Sequence, residues 1–214
     1  MRPEGLRDQV SGLLARGYAG TTFNRCVREE TDLRTLSITF DDGERNVIEH
    51  GLSVLAALGV PGTVFVTVSA IGGPGSLGWE DLAALVRSGW EIGSHTLTHA
   101  VLPGLDDRSP DEELRGSRAA LEERLTVPCC SISYPYGLAD DRVRAAAAAA
   151  GFTAGCTTSG TLRGDALAWP RVGVDGYDGQ LLFRVKTGRL GRALRATPLA
   201  SPLELVGRRI RPHG

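Results

Sequence analysis

The stretch SITFDDGERN, residues 37–46, decides how the rest of the chain is read. Ile38 and Phe40 alternate with Ser37 and Thr39, the pattern of a β-strand with unlike faces. Asp41 and Asp42 follow where the apolar run stops, and Gly43 lets the chain turn. One carboxylate is enough to cap a turn, and adjacent like charges repel. The second aspartate needs a separate reason.

Short β-like runs alternate with helical ones on either side of this stretch. Leu36 to Phe40, TVFVTV (63–68), WEIGS (90–94), CCSISY (129–134), FTAGCTT and RVGV read as strands. VIEHGLSVLAALG, WEDLAALVRSG, DEELRGSRAALEERL and the alanine run Ala145 to Ala150, stopped by Gly151, read as helices between them. The alternation predicts a parallel sheet with crossover helices, open and doubly wound or closed into a barrel. Polar clusters follow the ends of separate strands: Asp41/Asp42, His95/His99 and the turn after Tyr134. A barrel brings such ends to one mouth, whereas a doubly wound sheet gathers them mainly at its switch point. A small, distorted and incomplete (β/α) barrel is therefore the expected fold.

At 214 residues the chain suits one core and one domain, 1–214. Hydrophobic residues at 42%, charged residues at 23% and a net charge of −1 describe an ordinary soluble composition. That charge argues against non-specific nucleic-acid binding. No apolar run approaches a membrane span, and MRPEGLRDQV lacks a signal-peptide core. The expected location is cytoplasmic for the sequence as it stands, or extracytoplasmic if it is trimmed from an exported chain. The four cysteines form no C-x-x-C pair and read as reduced, mostly buried thiols.

GSHTLTHA, residues 93–100, holds two of the four histidines in an H-x-x-x-H spacing. On a helical turn, positions i and i+4 share a face and both imidazoles can meet one ion. Two histidines and one carboxylate make the usual three-ligand set of a catalytic zinc site with an open position. This supplies the reason for the second aspartate: one ligates the metal, and its neighbour stays free as a base for a water activated there.

T-F-D-D-G at 39–43, S-H-T-x-T-H at 94–99 and S-Y-P-Y-G at 133–137 together resemble the signatures of the metal-dependent polysaccharide (chitin and peptidoglycan) deacetylases. The resemblance covers roughly residues 30–175. It implies a distorted (β/α) barrel that removes N-acetyl groups from amino sugars. Asp41 would be the base, and Asp42, His95 and His99 the ligands of a divalent metal, Zn2+ first, with Co2+ or Ni2+ as alternatives. Tyr136 would offer its backbone N–H to the oxyanion. Two departures stand out. Ser133 occupies the place of an arginine that orients the base in many members, and Arg171 in WPRVGVDG is the candidate to replace it. The C-terminal leucine-histidine signature that supplies the general acid is missing; beyond His99 the chain has only His213.

His50 reads as a helix-surface or packing residue, Trp79 and Trp90 as core, and Trp169 as a candidate sugar platform. Residues 181–214 carry eight Lys/Arg against the single acid Glu204, so an anionic form of the N-acetylated sugar is one substrate to expect. Alternatives to a sugar deacetylase are a non-catalytic carbohydrate-binding relative and a hydrolase of small amides or esters. Oligomeric state is not legible.

Overall fold

In the computed structural model, which describes residues 2–29, 34–106, 109–158 and 165–188, the opening stretch belongs to the second of seven strands. These are β1 (Ala19–Thr21), β2 (Thr35–Phe40), β3 (Gly62–Val66), β4 (Glu91–Ser94), β5 (Ser131–Ser133), β6 (Ala154–Thr157) and β7 (Trp169–Pro170). Every neighbouring pair is parallel, and the strands lie in chain order from β1 to β7. Sequential parallel order is that of a (β/α) barrel. Among the described residues β1 and β7 do not pair with each other, so the barrel is a curled, incomplete one, as expected.

The helices are α1 (Pro3–Leu14), α2 (Phe23–Arg28), α3 (Leu52–Ala57), α4 (Trp79–Arg87), α5 (Ser109–Leu125), α6 (Asp141–Ala149) and α7 (Gln180–Thr187); a π-helical turn, Val47–Gly51, leads into α3. Side-chain alternation on β3 shows how the layers divide. Val64 and Val66 face outward into the main core with Leu55, Leu82 and Leu85 from the helices. Phe65 points inward, to a smaller cluster with Phe23, Ala154 and Cys156, and Trp169 packs against it. Gly93 on β4 is required by this inner packing: a Cβ there would lie 2.4 Å from the Phe65 ring. On α5, Leu114, Ser117 and Leu121 are buried at helical spacing. Trp90 is buried and stacks on Phe40, ring centroids 5.7 Å apart, in keeping with the core role expected of it.

The short helix α2 shows no pattern in the sequence, yet it closes the barrel's floor. The Phe23 ring meets Phe65 edge-on at 5.5 Å. The Phe23 N–H donates to Thr63 Oγ1 and the Asn24 N–H to Glu91 Oε2, each at 2.8 Å, and the Ser131 hydroxyl also donates to Glu91. Replacing Glu91 by alanine strands three donors, Asn24 N–H, Ser131 Oγ–H and Thr63 Oγ1–H, the first two at about 1–3 kcal/mol each. Glu91→Ala is expected to lower Tm by roughly 5–15 °C in calorimetry, with Glu91→Gln much milder. An unchanged Tm would show that the floor contributes little to stability.

The gap between the first and last strands is bridged by side chains. Arg2 donates to the Gly176 carbonyl at 2.9 Å and Gln9 to the Asp178 carbonyl at 3.1 Å. The strand expected at RVGV is corrected: β7 is the pair Trp169–Pro170, and 171–175 have no regular structure. Pro170 has no N–H to give, and Gly173 and Gly176 favour turning. Only the Arg171 N–H extends the ladder, to the Thr157 carbonyl at 3.0 Å.

Candidate active site

At the end of β2 the two aspartates part company. Asp42 takes a left-handed conformation (φ 67°) and Gly43 another (φ 69°). A Cβ on Gly43 would lie 2.9 Å from Val66, so the turn demands glycine. The bend sends Asp41 to Arg171 and Ser133, and Asp42 to the two histidines.

Asp41 is gripped by both forks of a guanidinium. Arg171 Nη1 donates to Oδ1 at 2.7 Å and Nη2 to Oδ2 at 2.6 Å, while Ser133 Oγ donates to Oδ2 at 3.1 Å. Arg171 is itself held by Thr39 Oγ1 and Ser133 Oγ, both at 2.9 Å, and lies over the Phe65 ring. Burial pushes the Asp41 carboxyl up, but the Arg171 charge and hydrogen bonds, with His95 and Ser133, outweigh it and hold the group below the usual carboxylate range. The acid is an anion with a fixed orientation.

His95 is buried, and its Nδ1 lies 2.6 Å from the Ser133 carbonyl. A carbonyl only accepts, so Nδ1 carries the proton and Nε2 presents a lone pair. The Nε2 atoms of His95 and His99 lie 3.4 and 3.5 Å from Asp42 Oδ1, and the three ligand atoms all fall within 4.8 Å of one another. These separations are long for hydrogen bonds. The two distances from Asp42 are close to the edge, roughly 3.3 Å, of a tetrahedron with zinc-like bonds of about 2.0–2.1 Å. Burial, then the neighbouring His95, lowers the His99 pKa, which keeps that imidazole neutral as ligation requires. The residues fit a divalent metal.

The helical turn expected for H-x-x-x-H does not form. Residues 95–100 have no helix, and Thr96 and His99 are left-handed at φ 68° and 65°. Side chains take over the local amides: Ser94 Oγ accepts from Thr96 N–H and Thr96 Oγ1 from His99 N–H, each at 3.0 Å. Tyr136, in the turn Pro135–Gly137, is left-handed too (φ 59°), and its ring sits edge-on to His99 at 5.0 Å. Four of the five described non-glycine residues with positive φ therefore sit at this mouth, a concentration typical of functional sites. A cleft of about 800 Å³ runs outward from Asp42 and His99 past Glu44, Asn46, Glu49, Thr67 and Ser69.

Residues 28–155 match the family model described as polysaccharide deacetylase, more than half of the chain. This chain belongs to the polysaccharide deacetylase family. YxkH of Bacillus subtilis, named for the same family, is 31% identical over 56% of this chain and 43% of its own length. The chain thus spans less than half of that relative. The chitooligosaccharide deacetylase of Sinorhizobium fredii is 29% identical over 76% of this chain and 73% of its own. Among solved structures, BA0330 from Bacillus anthracis superposes with a TM-score of 0.79 at 27% identity, over 88% of this chain and 62% of that one. IcaB from Ammonifex degensii shares the fold, with a TM-score of 0.77 at 23% identity over 92% and 90%.

Against the family's signatures, Asp41, Asp42, His95, His99 and Tyr136 converge at the mouth, and Arg171 reaches Asp41 across the space opposite Ser133. Trp169 lies two residues before Arg171 on the inner face and packs on the Phe23–Phe65 cluster, a layer below the mouth. His50 sits on the turn Val47–Gly51, and His213 and most of the basic segment lie outside the described residues. All four cysteines are free, and burial pushes every thiol up, Cys156 to about 12. No helix among the described residues is long and apolar enough to cross a membrane. The contributions of the Ser133 carbonyl and the Tyr136 ring escaped sequence reading, since neither a carbonyl's direction nor a ring's neighbour leaves a pattern.

Proposed function

We propose that this chain hydrolyses the N-acetyl group of an amino sugar, releasing acetate, with Asp42, His95 and His99 holding a divalent metal, zinc in the first instance. The observation that carries the reading is the two-pronged Arg171–Asp41 pair beside those three ligands. A divalent metal held there would supply a water of lowered pKa, about 7, and a Lewis acid for the carbonyl. Asp41, ionised and oriented, takes the proton of the attacking water at a carboxylate oxygen. The Tyr136 backbone N–H is the proposed donor to the oxygen that becomes negative, where such sites gain most. Asp41 then returns its proton to the departing amine nitrogen, one carboxyl serving first as base and then as acid.

Hydroxyl and carboxylate groups line the cleft, with Arg45 as the cation near Glu49 and Asp81. That lining suits the hydroxyls of a neutral amino sugar better than an anionic one. The deciding experiment measures acetate released from an N-acetylglucosamine oligomer and from an aryl acetate ester, with and without a chelator. Chelator-sensitive release from the oligomer is expected. Release from the ester alone would reassign the substrate, and metal binding with no release from either would mark a binding protein.

A further inference from the structure

We propose that Glu113 is a positioning residue for the metal centre: its carboxylate clamps the 95–99 loop in the strained shape that aims His99 at Asp42. The proposal rests on reading Asp42, His95 and His99 as metal ligands. Every backbone N–H from 95 to 99 has an identified acceptor. His95 N–H donates to the Val66 carbonyl at 2.8 Å, Thr96 N–H to Ser94 Oγ and His99 N–H to Thr96 Oγ1. The two in the middle go to one carboxylate: Leu97 N–H at 2.9 Å and Thr98 N–H at 2.8 Å both reach Glu113 Oε2, and Thr98 Oγ1 donates to Oε1 at 2.6 Å. A carboxylate accepting three hydrogen bonds from one loop holds it with charge-assisted strength.

The clamp is itself anchored. Glu113 stands on α5 next to the buried Leu114 and one helical turn before the buried Ser117, whose hydroxyl lies 2.7 Å from that of Ser94. Leu97 packs near Gly116 of the same helix. From the opposite side, the Val68 and Ser69 N–H groups donate to the carbonyls of Thr96 and Leu97, at 3.2 and 2.9 Å. The loop is fixed through both its amides and its carbonyls. Left-handed backbone at Thr96 and His99 is unfavourable for residues with a Cβ, so without the carboxylate the loop is free to relax and carry the His99 imidazole away from Asp42.

The test measures Zn2+ affinity by competition with a chromophoric chelator, alongside amide exchange at Leu97 and Thr98. Glu113→Gln preserves length and one acceptor oxygen but loses the charge, and a few-fold weaker affinity is expected. Glu113→Ala should weaken Zn2+ binding by roughly 10- to 100-fold, the usual effect of removing a group that orients a ligand. Exchange at both amides should quicken in the same order. Wild-type Zn2+ affinity in the folded variants would overturn the proposal, even with a lowered Tm, because a merely structural role predicts that pattern. If Glu113→Ala fails to fold, the glutamine variant alone decides. An unaltered protein that bound no Zn2+ would sink the metal-centre reading, and the clamp with it.

Discussion

Asp41→Asn is expected to leave the metal in place while turnover falls by about 10²- to 10⁴-fold, the share a well-placed general base contributes. The side chain that changes is not one of the three proposed ligands; its hydrogen bonds go to Arg171 and Ser133. Asparagine is nearly the same size and keeps one oxygen for the guanidinium, so the fold should survive. Asp42→Asn, His95→Ala and His99→Ala should instead lose metal and activity together, because the first removes the charge of one proposed ligand and each of the others removes a ligand atom. Metal content by elemental analysis and acetate release by enzymatic assay separate the two patterns. If Asp41→Asn emptied the site and Asp42→Asn left it full, the roles of the neighbours would have to be exchanged.

Arg171→Ala should lower kcat by roughly 10- to 100-fold with little effect on KM or metal content, since the guanidinium touches the base and not the ligands. It should also move the acidic limb of the pH–rate profile. Burial pushes the Asp41 carboxyl up, and Arg171 is the main opposing influence. With Arg171 gone the pKa rises, and the base works only when ionised. The rising limb therefore shifts to higher pH, and the deficit is largest in acid and shrinks as pH increases. Arg171→Lys should rescue only part of the loss, because an ammonium cannot grip both oxygens in a plane. An unmoved limb would limit Arg171 to a packing role.

Much of this site was legible because strand ends in a barrel share one mouth. Asp41, Asp42, His95 and His99 sit at the ends of β2 and β4, and pattern alone places them together. The shape of the His95–His99 loop was not legible. A helical turn and a left-handed loop offer the same H-x-x-x-H spacing, and the difference lies in acceptors from β4 and α5. Arg171 was foreseen as a candidate, although the strand assigned to it stops one residue short. The floor formed by α2 left no periodic signal, since six residues are too few to display one. Trp169, partly buried, packs against the inner Phe23–Phe65 cluster, a contact that no sequence pattern announces.

The incomplete closure of the barrel ranks the two halves of the centre by endurance. The proposed metal ligands hang from β2 and β4, strands with a partner on each side, whereas the guanidinium follows a two-residue strand at the outer edge that carries a proline. Edges of a sheet open at lower free energy than its middle. Under mild denaturing stress the base would lose its orientation first, while the ion stayed where it was. The molecule would then pass through an inactive but still metallated form on its way to unfolding, and the open side of the barrel would set how long it works, with the metal setting only how long it lasts.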